Sequence, residues 1–482
     1  MNSATDSPFP LEDLQSFRKR RHKVAYFHHP DTPNFHYGVA HPMKPQRLAL
    51  TDSLVRGYGL DQAMDCAVPA PATTADLLRF HCPEYIAFID RVGGSVNNKA
   101  DLAQQVEHTA ALAALDRFNF AADCPAFAGL ARFVRLYTGG SLAGARELAL
   151  GPADGVAINW AGGLHHAKRA GASGFCYIND IVLAILELLA YYPRVLYIDI
   201  DVHHGDGVQE AFYGNNRVMT LSLHKHGDGF FPGTGDIDEV GLERGRYYSV
   251  NVPLRTGIDD AGYAYVFEPI VTAAIETFQP SVIVLQGGAD SLGCDRLGCF
   301  NLSIRGHGDC VRFVHSFGLP VLMLGGGGYT IRNVSRCWAY ETSILAQRPL
   351  SNDLPVTLYH SQFAPDHKLH QPVHLESDFA NISTGAGGFS MGAFAASASD
   401  GLNAPHYSSN SFYSSGDSPD NFNTRQYLDA VKTTVLERLR RLQGAPAVSC
   451  TLVPRASDFE EEAQDESQVS KLKQTAKQRL WK

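Results

Sequence analysis

No apolar run in this 482-residue sequence approaches the ~20 residues needed to cross a bilayer, so no membrane span is expected. The opening stretch, MNSATDSPFPLEDL, lacks both the basic and the apolar region of a secretory signal, and export by the usual route is not expected either. Positive charge is scarce: 41 Lys and Arg against 50 Asp and Glu give a formal net charge of -9. Affinity for nucleic acid rests on cationic neutralisation of phosphates, so direct binding to it is not expected. Cysteine is sparse and scattered, at nine residues, an odd number, and none lies in a C-x-x-C pair. That excludes zinc ribbons and dithiol redox motifs and reads as reduced thiols in an intracellular protein.

What is present is enough apolar material, 44% of residues, to bury a large core. Short runs rich in β-branched residues recur at Val24 to Phe27, Val156 to Asn159, Val195 to Ile200, Val218 to Leu223, Val282 to Leu285 and Val321 to Leu324. Segments of helical period, such as Asp180 to Leu189 and Tyr263 to Phe278, lie between them. Strands alternating with helices predict an α/β fold, a single large domain whose mostly parallel central sheet is flanked by helices on both faces. Beyond Pro372 the composition shifts, and Ser377 to Asn421 is dominated by Ser, Gly, Ala and Asn, a segment without packed elements of its own. Asn423-Thr424 then reads as a cap for an amphipathic helix with Tyr427, Leu428, Val431, Val435, Leu436, Leu439 and Leu442 on one face, ending at Gly444. The resulting division is an N-terminal extension over 1–22, the α/β domain over 23–372, a Ser/Gly-rich insertion over 373–422, a helix docking back over 423–445 and a charged tail over 446–482. The basic run Arg18 to Arg21 fits a nuclear localisation signal or a solvated lead-in equally well.

Three strands end in residues suited to chemistry. RVLYIDIDVHHGDGV delivers Asp199, Asp201 and His203, which strand alternation places on one side. VIVLQGGADSL ends in Asp290, and VAINWAGGLHHAKR leads to the pair His165-His166. Carboxylates buried at strand ends are costly unless compensated, and a divalent cation compensates them. Two carboxylates, one histidine and an open position are the ligand set of catalytic zinc, so Asp201, His203 and Asp290 are the expected ligands. Asp199 and Asp206 remain to orient His165 and His166 through hydrogen bonds. Any one of these residues alone reads more readily as a cap or a solvated loop residue; it is their conjunction on three strands that points to catalysis.

The blocks GLHHAKRAGASGFCYIND, YIDIDVHHGDGV, FFPGTGD, GADSLGCDRLGCF and LGGGGYTIRNVSRCW resemble, in order, the signature blocks of class I histone deacetylases, zinc-dependent enzymes of the arginase/deacetylase-like fold. Similarity runs from about Lys23 to Leu369 and resumes near Tyr427. The resemblance implies removal of acetyl groups from acetyl-lysine in histone tails or other proteins, with release of acetate and a role in transcriptional repression. It implies a nuclear location with cytoplasm also open, and a corepressor scaffold as partner. Water activated by zinc attacks the acetyl carbonyl in that family, with His166 as general base and later acid, His165 as its electrostatic partner and Tyr329 as hydrogen-bond donor to the developing oxyanion. Gly326 to Gly328 give the loop freedom to present Tyr329.

By the same resemblance Gly174, Phe175 and Phe231 line a tunnel for the lysine stem, Leu297 and Asp123 sit at its rim, and Arg47 lies near the cavity that receives acetate. Buried aromatics are more often plain core, and a loop aspartate is more often a cap, so these assignments rest on the motif. A structural potassium site maps to Asp199, Asp201, His203, Ser222 and Leu223. An inositol phosphate site maps to Lys44, Arg296 and Arg332. His36 and Ala40 stand there in place of the family's tyrosine and glycine, which counts against dependence on inositol phosphate and a corepressor. Competing readings are a binuclear manganese ureohydrolase, opposed by Tyr329 and the two phenylalanines, and an inactive scaffold, opposed by the full ligand set. A phosphate-cradling role for Gly325 to Gly328 lacks the Lys-Ser/Thr that must follow.

Overall fold

Branched apolar side chains pack well on a pleated surface, and the runs rich in them form strands. In the computed structural model these are β1 (Val24–Phe27), β2 (Asp65–Ala67), β3 (Val156–Asn159), β4 (Val195–Asp199), β5 (Val218–Lys225), β6 (Ser249–Leu254), β7 (Val282–Gln286) and β8 (Val321–Leu324). Residues 22–94, 114–121, 123–371, 420–442, 444 and 446 are described. The chain divides into a unit Met1–Ala445 and a second unit Pro446–Lys482, and the sheet and its helices belong to the first. The run Arg18 to Arg21, the Ser/Gly-rich insertion up to residue 419 and the charged tail beyond 446 lie outside the described residues.

The eight strands form one sheet in the order β2-β1-β3-β8-β7-β4-β5-β6, and every pairing is parallel. All but β2 are buried along their whole length, which is why they read as continuous apolar runs rather than alternating ones. The helices are α1 (Arg47–Gly57), α2 (Thr74–Leu77), α3 (Pro83–Gly94), α4 (Leu130–Leu150), α5 (Asp180–Leu188), α6 (Asp206–Phe212), α7 (Asp260–Phe278), α8 (Ile304–His315), α9 (Ile331–Leu345) and α10 (Arg425–Leu439). None of them is long and apolar enough to cross a membrane. Strand alternation feeds two layers. Leu196 and Ile198 of β4 enter a core shared with α1, α7, α8, α9 and α10, while Val195 and Tyr197 enter the opposite core, shared with α4, α5 and α6.

The α/β fold with a parallel sheet covered on both faces is the one the strand and helix pattern predicts. Two strands escaped that pattern. β2 is three residues, Asp-Cys-Ala, with no branched side chain, and β6 carries Pro253 on the sheet edge, where a missing N–H is tolerated. Thr424 caps α10 by accepting from the N–H of Tyr427, and Leu428, Val431, Val435 and Leu439 sink into the larger core. The helix closes at Leu439, short of Gly444, because the fully buried stripe ends there and Leu442 is only partly covered.

Candidate active site at the carboxyl ends of the central strands

Four adjacent strands, β3, β8, β7 and β4, end beside one another, and each continues into a loop bearing one of the reactive groups. β3 leads to His165 and His166, β8 to Gly325 through Tyr329, β7 to Asp290, and β4 to Asp199 through His203. Ligand sites of open parallel sheets gather at this edge.

Strand pairing at β4 stops at Asp199, so the alternation expected to align Asp199, Asp201 and His203 does not reach the last two. They are placed instead by a bend in which carboxylates accept backbone N–H groups. Asp199 accepts from Asp201 N at 3.1 Å, Asp201 accepts from His203 N at 3.0 Å, and Asp290 accepts from Val202 N at 3.0 Å. The result separates Asp199 from the other two. His203 Nδ1 lies 3.0 Å from Asp201 Oδ1 and 3.1 Å from Asp290 Oδ2, and the ligand atoms of this trio all fall within 4.8 Å of one another. Asp199 turns to His165, with Oδ2 at 2.8 Å from Nδ1, and also accepts from the Tyr197 hydroxyl at 2.5 Å.

Two carboxylates and an imidazole buried together need a positive charge between them. Burial and the Asp201 carboxylate push Asp290 up to about 7. Burial alone would lower His203, but hydrogen bonds to Asp201 and Asp290 raise it to about 10, so the two acids draw positive charge to this point. The donor set, one nitrogen and two carboxylates converging on one point, fits a metal of the zinc type. Gly327 packs against both acids: its N–H donates to Asp201 Oδ2 at 2.8 Å, and an added Cβ would lie 2.0 Å from Asp290 Oδ2 and 2.9 Å from Asp201 Oδ2, so only glycine fits there.

The paired histidines differ in charge. His165 Nε2 is 2.9 Å from His166 Nε2, and His166 Nδ1 is 2.7 Å from Asp206 Oδ1. Burial opposes charging either ring. In His165 the carboxylates of Asp199 and Asp201 outweigh burial and hold it at about 9, whereas burial and the neighbouring His165 charge hold His166 down near 3. A cationic His165 therefore faces a neutral His166 whose Nε2 lies 2.9 Å away. Lys168 Nζ, 2.7 Å from Asp206 Oδ2, competes for the acid that orients His166.

Around this centre, Phe175 meets Tyr329 edge to face at 5.6 Å and Phe231 meets His166 at 4.8 Å. Gly174 has φ +50, and a Cβ there would lie 2.4 Å from His166 Cδ2 and 2.8 Å from Phe231 Cε1. Tyr329 is buried, and burial, Asp290 and Asp201 all raise its phenol, which stays protonated. Leu297 packs in the same cluster as Tyr329 and Phe175. The carboxyl of Asp123 is raised by burial, against a hydrogen bond from the Gly174 backbone, and its carbonyl meets His41 Nε2 at 3.3 Å. Arg47 is buried and donates to Gly328 O at 2.7 Å and Gly326 O at 2.5 Å, lying over Trp338, so its guanidinium braces the glycine loop. Ser222 pairs in register with Asp199, and its hydroxyl is 2.9 Å from His224 Nδ1; Leu223 is buried beside it. Lys44 donates to Gly38 O and Val39 O, and burial and the nearby Arg296 lower it. Arg332 lies in the first turn of α9.

Several supporting residues went unread in the sequence. Gln286 donates to Asp201 Oδ2 at 2.9 Å, and a polar residue ending the apolar strand VIVLQ was the available signal. Asn179 donates to the carbonyls of His165 and Ala167, and Asp180 accepts from Gly163 N and Leu164 N, so the helix start Asn-Asp clamps the loop that carries both histidines.

Comparison with known proteins gives a match to the histone deacetylase domain over residues 41–345. The chain is 46% identical to histone deacetylase B of Dictyostelium discoideum over 94% of this chain and 95% of that protein. It is 46% identical to histone deacetylase 1 of Oryza sativa subsp. japonica over 92% of this chain and 75% of the other. With histone deacetylase HDAC1 of Drosophila melanogaster it shares 45% identity over 95% of this chain and 77% of the other.

Proposed function

The chain belongs to the histone deacetylase family and is a lysine deacetylase with a part in chromatin regulation, and from that premise we propose that one zinc ion held by Asp201, His203 and Asp290 drives the hydrolysis. The carrying observation is the convergence of those three buried ligand atoms within 4.8 Å beside the His165-His166 pair. A zinc ion held by these three residues would supply polarisation of the acetyl carbonyl and a water nucleophilic near neutral pH. The remaining work falls to the chain. Neutral His166, oriented by Asp206, takes the proton of the attacking water and passes it to the lysine nitrogen as the C–N bond breaks, leaving acetate and a free lysine. Cationic His165, held by Asp199, offsets negative charge gathering beside it. Tyr329 donates its phenolic hydrogen to the oxyanion.

Phe175 and Phe231 with Gly174 enclose the methylene stem, Leu297 and Asp123 meet the substrate at the rim, and Arg47 supports the inner wall through Gly326 and Gly328. We assign potassium to the site of Asp199, Asp201, His203, Ser222 and Leu223, whose oxygens suit a hard cation. Lys44, Arg296 and Arg332 form the candidate inositol phosphate site, in which Lys44 is already engaged by two backbone carbonyls. Acetylated histone tails are the substrate class, other acetylated proteins and a corepressor scaffold follow as partners, and the nucleus is the assigned compartment, with cytoplasm also open.

Metal analysis joined to an acetyl-lysine peptide assay tests this. One zinc per chain is expected, with Tyr329→Phe lowering kcat on the order of 10²-fold while zinc stays bound. Two manganese ions per chain, or wild-type protein inert after zinc loading, would overturn it.

A further inference from the structure

Asp295 belongs to neither the metal trio nor the histidine pair, yet its carboxylate ties two functional loops together. Oδ2 accepts from Tyr329 N at 2.7 Å and Thr330 N at 3.1 Å, and Oδ1 accepts from Leu297 N at 2.9 Å and Gly298 N at 3.1 Å. A second tie joins the same loops, from the Thr330 hydroxyl to Cys294 O at 2.9 Å. The rim loop is in turn pressed against the metal-binding stretch, since a Cβ on Gly298 would lie 1.8 Å from Asp290 O. Four backbone donors on one carboxylate satisfy all of its strong acceptor directions, and an ionised acceptor makes each of these bonds stronger than a neutral one.

We propose that Asp295 is a positioning residue for deacetylation, anchoring the backbone of Tyr329 and the backbone of Leu297 to one carboxylate so that the oxyanion donor and the substrate rim are set as a unit. This rests on the assignment of Tyr329 as oxyanion donor. The physical reason is geometric. Tyr329 follows glycines of positive φ, Gly326 at +150 and Gly328 at +124; Arg47 holds the carbonyls of those two and Asp201 accepts from Gly327 N, but none of these bonds is to Tyr329 N. Asp295 accepts that N–H. Asparagine in its place offers one acceptor oxygen and one NH₂, so either the Tyr329 side or the Leu297 side loses both bonds and meets a donor instead.

The test is a double-mutant cycle of Asp295→Asn with Tyr329→Phe, read with a trifluoroacetyl-lysine peptide, whose electron-poor carbonyl keeps the slow variants measurable, and with zinc content and melting temperature as controls. A misplacement near 1 Å costs up to about a hundredfold in rate, so Asp295→Asn is expected to lower kcat at least about tenfold, with loosening of the rim read separately as a rise in KM. In the Tyr329→Phe background the same change is expected to cost less than about threefold, because the group it positions is gone. A slow Tyr329→Phe beside a wild-type-like Asp295→Asn overturns the proposal, as do losses that multiply in the double variant. A wild-type rate in Tyr329→Phe overturns the donor assignment and the proposal with it. Should Asp295→Asn fail to fold, Asp295→Glu keeps the charge but displaces the carboxylate by one methylene from the four N–H groups. A several-fold loss of kcat that vanishes with Tyr329→Phe supports the proposal, and an unchanged kcat overturns it.

Discussion

Replacing Gly174 by alanine probes how tightly the proposed substrate passage is built around His166. The backbone there has φ +50, a conformation that costs an L-residue roughly 1–2 kcal/mol. The added Cβ would sit 2.4 Å from His166 Cδ2, where ordinary contact begins at 3.4 Å, so ring and backbone must separate by the difference, 3.4 minus 2.4, or 1.0 Å. His166 has little room to yield, because Nδ1 is fixed by Asp206 at 2.7 Å and Nε2 faces His165 at 2.9 Å. A base displaced by that much loses on the order of 10²-fold in rate. Steady-state kinetics of Gly174→Ala on an acetyl-lysine peptide should therefore show kcat down about a hundredfold, while the melting temperature falls by only about 2–4 °C. Turnover within about threefold of wild type would refute the reasoning, since the ring would have proved free to move.

Asp206→Asn removes the acid that orients His166 and releases Lys168; kcat should fall by about 10–100-fold with zinc content unchanged, and lost zinc would place the residue in the metal site instead. Stripping the metal with a chelator leaves Asp201 and Asp290 compensated by the neighbouring imidazoles of His203 and His165. Activity should vanish and the melting temperature drop, both restored by zinc, with a stabilisation of about 4 kcal/mol at a thousandfold excess over the dissociation constant; a melting temperature indifferent to zinc would contradict this. His81 accepts from Asn179 N and is held at about 4 by burial, below its ordinary 6.5. A neutral buried ring lends stability that is complete above pH 6.5 and is lost as pH falls toward 4, up to roughly 3 kcal/mol. His81→Gln should melt lower at pH 7 yet change less between pH 7 and 5, and an equal pH slope in both proteins would exclude His81 as the cause.

The large pattern was legible because burial on both faces leaves a strong compositional mark. Runs such as VLYID and VIVLQ admit few structures other than a central strand, and helix starts announced themselves through Thr424 and its neighbours. The residues suited to metal and proton chemistry stood out because acids and histidines are conspicuous at the ends of apolar runs. What stayed hidden is the work done by unremarkable types. Gln286, Asn179 and Asp295 act by bonding to groups distant in sequence, a side-chain carboxylate for the first and backbone groups for the other two, and no local pattern encodes which partner each will meet. Arg47 is the converse case: its identity was noticed, but its two bonds to the glycine loop depend on α1 meeting that loop in space.

The strand order has a consequence for synthesis. β3 and β4 follow one another in the chain but are separated in the sheet by β8 and β7, which leave the ribosome last. Until those two arrive, a nascent protein bears two unsatisfied inner edges, each able to pair with a stranger. The gap they fill is also where Asp290 and Tyr329 must land, so the enzyme cannot ripen piecemeal. Closing that seam late, over long sequence separations, makes assembly slow and exposes growing chains to aggregation before the last strands dock.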